Sequence, residues 1–120
     1  MPRSILVATR RVPPPLTHDD IRSLLEAPQI GDEAPSLGDI EEALTTGYAR
    51  ALALDAERRQ LEKKITAVLD HLQRSGTNGK SESELATLGR RLSVADGNLT
   101  SLRALLSSLR ARAAEARTAL

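Results

Sequence analysis

Spacing of apolar residues constrains this chain more than any other feature of it. From Ile40 the positions Leu44, Gly47, Ala51, Leu54, Arg58, Leu61, Ile65, Val68 and Leu72 follow at steps that alternate strictly between four and three. A second series with the same alternation runs from Leu85 through Leu88, Leu92, Ala95, Leu99, Leu102, Leu106, Leu109, Ala113 and Ala116 to Leu120. Such a 3.5-residue repeat keeps one narrow stripe facing a partner helix, and both series outlast the three to four heptads that define a coiled coil. In the first series Arg58 alone departs from apolar character and Gly47 alone from helix-forming residues.

Between the two series lies Ser75-Gly76-Thr77-Asn78-Gly79-Lys80-Ser81, the densest cluster of turn formers in the chain. Ser81 and Glu84 have the spacing of a capping box, so the second long helix is expected to start at Ser81. Ser36, preceded by Pro35 and followed by Asp39, is the expected cap of the first. An uninterrupted helix would carry Gly76 and Gly79 in its interior at about 1 kcal/mol each relative to alanine. A folded-back arrangement avoids that cost. With the tip at residues 76 and 77, facing residue numbers sum to about 153. Gly47 then meets Leu106, Arg58 meets Ala95, and the Arg58 guanidinium reaches toward Asp96 or Glu62.

Upstream, Thr17 stands as a cap before Asp19, Asp20, Ile21, Leu24 and Leu25, which predicts a short helix that Pro28 ends near Ala27. Residues 28–35 carry no apolar period and read as a linker. Residues 1–16 hold the strand-like run Ile5-Leu6-Val7-Ala8-Thr9, then Arg10-Arg11, then Pro13-Pro14-Pro15. Three prolines exclude helix and favour an extended arm. The expected fold class is all-α, a long antiparallel two-helix coiled-coil hairpin at 36–120 with its turn near 76–80. An N-terminal extended arm at 1–16 and a short helix with its linker at 17–35 precede it.

Composition narrows function chiefly by exclusion. The 120 residues include no cysteine and no tryptophan, and Tyr48 is the single aromatic. Disulfide scaffolds, thiolate metal sites and stacking platforms for nucleobases are thereby removed. Seventeen basic against sixteen acidic residues give a net charge of +1, too little to steer the chain onto a polyanion. The charge is unevenly spread. Leu85–Leu120 carries six arginines against Asp96 and Glu115, while residues 37–75 carry seven acids against six bases. This complementarity suits pairing of the two helices with each other.

Motifs for chemistry are weak. Gly79-Lys80-Ser81 imitates the end of a phosphate-binding loop, but Arg74 occupies the position of its first glycine and no strand precedes it. His18 and His71 have no ligand set at helical spacing. Glu41, Glu42, Asp55, Glu57 and Glu62 read as a solubilising outer face with Arg58 and Arg59 as partners. No cofactor, no metal and no enzymatic activity are expected, and the absence of a long apolar run predicts a cytoplasmic chain without a membrane span.

Side positions carry more information, because a two-helix rod buries one stripe and leaves its flanks to pack on something else. Tyr48, Leu52 and Leu69 flank the first seam and Val94 and Leu105 the second. With the arm residues Ile5, Leu6, Val7, Arg10 and Arg11, they are the candidate partner-binding set. The expectation is an adaptor or assembly protein that binds a protein partner or self-associates as a dimer or larger assembly. Its arm would add a strand to a partner's sheet edge. The alternative is a regulator that binds nucleic acid, or a machine acting on it, through the basic second helix. Specific nucleic-acid binding by that helix alone is not expected.

Overall fold

The structure, a computed structural model, describes residues 18–119. They form three α-helices and no strand: α1 (His18–Glu26), α2 (Leu37–Ser75) and α3 (Gly79–Thr118). At 1.5 Å per residue the two long helices each extend about 60 Å, and the molecule is elongated, 64 Å in its longest extent and 17 Å in its thinnest. The arm at 1–16 and the Thr17 cap lie outside the described residues.

Local chemistry sets the helix ends. Ser36 is extended at ψ 158°, its hydroxyl accepts from the Asp39 amide at 3.0 Å, and the Asp39 carboxylate accepts from the Ser36 amide at 3.4 Å. That is a closed capping box, satisfying two amides that no carbonyl in the helix can reach. At the far end the Gly76 amide donates to the Leu72 carbonyl at 2.9 Å, and Gly76 leaves the helix at φ +82°, a region that costs a side chain heavily.

The next helix restarts earlier than the expected Ser81. Asn78 is the cap, its side-chain oxygen accepting from the Ser81 amide at 2.8 Å. Asparagine caps as well as serine does, and capping at 78 brings Gly79, Lys80 and Ser81 into the first turn. Ser81 itself is buried. The loop is therefore the three residues 76–78, not a turn extending to 80 with a Ser81–Glu84 box.

Along α2 and α3 the two apolar series bury against each other in two clusters. Near the tip Leu61, Leu88 and Ala95 are buried, with Ile65, Val68 and Leu92 packed around them. The larger cluster at the opposite end joins Ile40, Ala43, Leu44 and Leu54 of α2 with Leu99, Leu102, Leu106, Leu109 and Ala113 of α3. Gly47 lies directly against Leu106, as expected, so closely that a Cβ there would overlap Leu106 Cδ2.

A third helix completes the larger cluster. Ile21 of α1 is fully buried in it, and Leu24 and Leu25 pack beside it. The pairing is locked at its end by Arg112, whose guanidinium donates to the carbonyls of Leu25 at 2.8 Å, Ala27 at 2.7 Å and Pro28 at 3.3 Å. At the other end His18 Nε2 lies 3.2 Å from the Asn98 carbonyl oxygen. A nine-residue helix is too short to hold itself in water. These contacts with α3 keep it formed.

Candidate interaction groove

On the face away from α1, three cross-helix contacts recur at heptad intervals. Arg117 donates to Glu41 at 2.7 Å, Arg110 to the Tyr48 hydroxyl at 3.4 Å, and Arg103 stands 4.0 Å from Asp55. Each step of seven up α2 is a step of seven down α3, so these side chains border the seam in register.

Between the second and third of these contacts the surface opens into a groove of about 460 Å³. Its floor is apolar, made by Ala51 of α2 and Leu106 of α3, with Leu52 and Tyr48 more exposed along its α2 side. Arg103, Ser107 and Arg110 form the α3 wall, and Asp55 closes the α2 side. Leu52 is 73% exposed and Tyr48 40%, large apolar surface that nothing among the described residues covers fully.

Asp55 is not part of an outer solubilising face, as its place in the sequence suggests, but is buried to 7% exposure. Arg58 donates to it at 2.8 Å and Arg59 at 2.6 Å. The Arg58 hydrogen bond holds the Asp55 carboxyl below its ordinary value, with Arg59 and Arg103 acting in the same direction against the burial that opposes them. In return the Asp55 bond raises the pKa of Arg58. The Arg58 side chain stands in the seam stripe and reaches Glu62 at 3.1 Å, one of its two expected partners. Asp96, the other, acts on Arg58 through its charge, with Asp55 taking the hydrogen bond.

The candidate binding residues therefore fall in different places. Tyr48 and Leu52 share the groove. Leu69 is 44% exposed nearer the tip and Val94 63% exposed on α3, neither in the groove wall. Leu105 is half-buried against the cluster that Ile21 completes. Ile5, Leu6, Val7, Arg10 and Arg11 lie outside the described residues.

Sequence reading passes over the groove's charged wall, Arg103 and Arg110, because a basic helix beside an acidic one looks self-satisfied. The signal was the spacing of 103, 110 and 117, seven apart and opposite 55, 48 and 41. Among the described residues no group of three or more histidines, aspartates or glutamates is placed to hold a metal ion. No described helix is long and apolar enough to cross a membrane. Comparison with known proteins finds no family model, curated protein sequence or solved structure that matches the chain.

Proposed function

We propose that this chain is a non-enzymatic adaptor, an antiparallel coiled-coil hairpin that binds a protein through the face opposite α1. The observation that carries this reading is the asymmetry of the two faces. On one, α1 covers the apolar flank and buries Ile21 completely; on the other, Leu52 and Tyr48 stand exposed over an apolar-floored groove. Helical layers bury an apolar stripe against another element, and the groove is the position a further helix would take in a bundle.

The basic second helix offers less to nucleic acid than its charge suggests. Arg112 is buried on carbonyls at the end of α1 and just beyond it, Arg117 is paired with Glu41, and Arg103 and Arg110 face α2. The exposed cations that remain, Lys80, Arg90 and Arg91, stand toward the tip, apart from Arg103 and Arg110, so the helix divides its charge between two stretches when it meets a phosphate backbone.

A photo-crosslinking side chain at position 52, compared in cells with one at exposed Glu57, about 140° around the same helix, tests the reading. Adducts at 52 and not at 57 are expected. Absence of adducts at 52, or equal labelling at 52 and 57, contradicts it.

A further inference from the structure

We infer that the groove binds an acidic amphipathic helix of a partner protein, apolar side down and with carboxylates on one flank. The inference rests on the adaptor reading and names the partner's chemistry. Its basis is an imbalance of charge on the walls. Arg103 is 4.0 Å from Asp55 Oδ1, and that oxygen already accepts from Arg58 at 2.8 Å, while the other Asp55 oxygen accepts from Arg59 at 2.6 Å. Arg110 makes a long 3.4 Å contact to a neutral hydroxyl, that of Tyr48. Two guanidinium groups thus border an apolar floor with no carboxylate of the described residues at close bonding distance, and Arg103 keeps 62% of its side chain in solvent.

Residues 103 and 110 are seven apart on one helix, about 10.5 Å along its axis. An opposing helix matches that spacing with glutamates seven residues apart, each close enough for a charge-assisted bond. Leucines at intervening positions pack on Leu52 and reach Leu106 at the floor, the way an amphipathic helix lies in an apolar groove.

A second copy of the chain is a poorer occupant. Laid face to face with its long axis parallel, it brings to the level of these arginines only Tyr48 and an Asp55 already taken by its own Arg58 and Arg59. Turned end for end, it sets its own basic α3 wall against this one. Like charges opposed across an interface select against that pairing.

Tyr48, the single aromatic of the chain, lines the groove and makes it self-reporting. The probe is a synthetic helical peptide without aromatic residues, leucines along one face and glutamates seven apart on its flank. Its control is the same peptide with lysines for the glutamates. The full chain is titrated with each at low salt, following Tyr48 emission, with light scattering on the protein alone.

The glutamate peptide is expected to change the emission saturably and the lysine peptide to bind at least about tenfold more weakly, since two exposed ion pairs turn into two repulsions. The double variant R103E/R110E, whose changes lie on exposed positions and whose helicity is checked by circular dichroism, is expected to reverse the preference. Equal binding of the two peptides, no response of Tyr48 to either, or an unaltered preference in the double variant overturns the inference. So does a molar mass twice that of the chain which Leu52→Glu returns to the single value, because a second copy then fills the groove. In each case the crosslink at position 52 decides separately whether the adaptor reading survives.

Discussion

At Gly47 and Gly97 the same chemical change has opposite consequences. Alanine gains about 1 kcal/mol over glycine in a helix interior. At Gly97 nothing stands within 4 Å of the added methyl, so Gly97→Ala is expected to raise the melting temperature by several degrees. At Gly47 the methyl meets the end of the Leu106 side chain, which is buried to 2% exposure and must give way for it. Overpacking costs about 1–3 kcal/mol, so Gly47→Ala is expected to lower stability by roughly 1 kcal/mol net. Thermal melts of the two variants side by side measure the closeness of the helix contact. Asp55 supplies a second test at this scale. Its carboxyl is more acidic in the folded chain than in the unfolded one, where it titrates near pH 3.9. Its stabilisation is therefore full above that value and is lost as pH falls through the lower folded one. Asp55→Asn is expected to melt below the wild type at neutral pH, and the gap is expected to close as the pH drops below about 4. A gap constant with pH would contradict the role given to the charge.

Helix ends show which local signals can be read from a sequence and which cannot. The Ser36–Asp39 capping box was legible because both partners lie within one turn. At the tip two residues could fill one role, and it is Asn78 that caps, accepting from the amide of Ser81 itself. The docking of α1 was open in the sequence, which predicts the short helix but assigns it no place on the rod. What fixes it is Arg112, whose bonds to Leu25 and Ala27 span 85 or more residues of chain. No local pattern announces a contact of that range. Arg112→Met keeps the aliphatic stem but removes the donors, and hydrogen bonds from a charged group contribute about 1.5–3 kcal/mol. Amide exchange in α1 is expected to lose a corresponding share of its protection while amides of α2 and α3 near Leu61 and Leu88 keep theirs. Uniform loss across the chain would mean that α1 is inseparable from the rest.

For the whole molecule, the heptad spacing made the long helices and the contact of Gly47 with Leu106 readable, because a 3.5-residue period admits few packings. Burial of Asp55 and the charged wall of the groove were not readable. Both depend on the offset between seam and flanking rows, which sets 55 beside 103 while 47 meets 106. Such an offset is a property of two helices together. The candidate site followed the same division: the sequence left a list of unsatisfied flank residues, and the fold gathered Tyr48 and Leu52 into one groove while packing Leu105 against the core that contains Ile21.

Every part of this account depends on α2 and α3 of one chain lying side by side in opposite directions. Spin labels on cysteines introduced at the exposed positions Glu42 and Ala114 of a chain that has no native cysteine measure that directly. The labelled protein is diluted into excess unlabelled protein so that distances within one chain dominate. A hairpin is expected to give a narrow distribution near 10–20 Å, the separation of neighbouring helices plus the label arms. A continuous helix through the tip would put the two positions about 108 Å apart, and loss of the short distance on dilution would contradict the account.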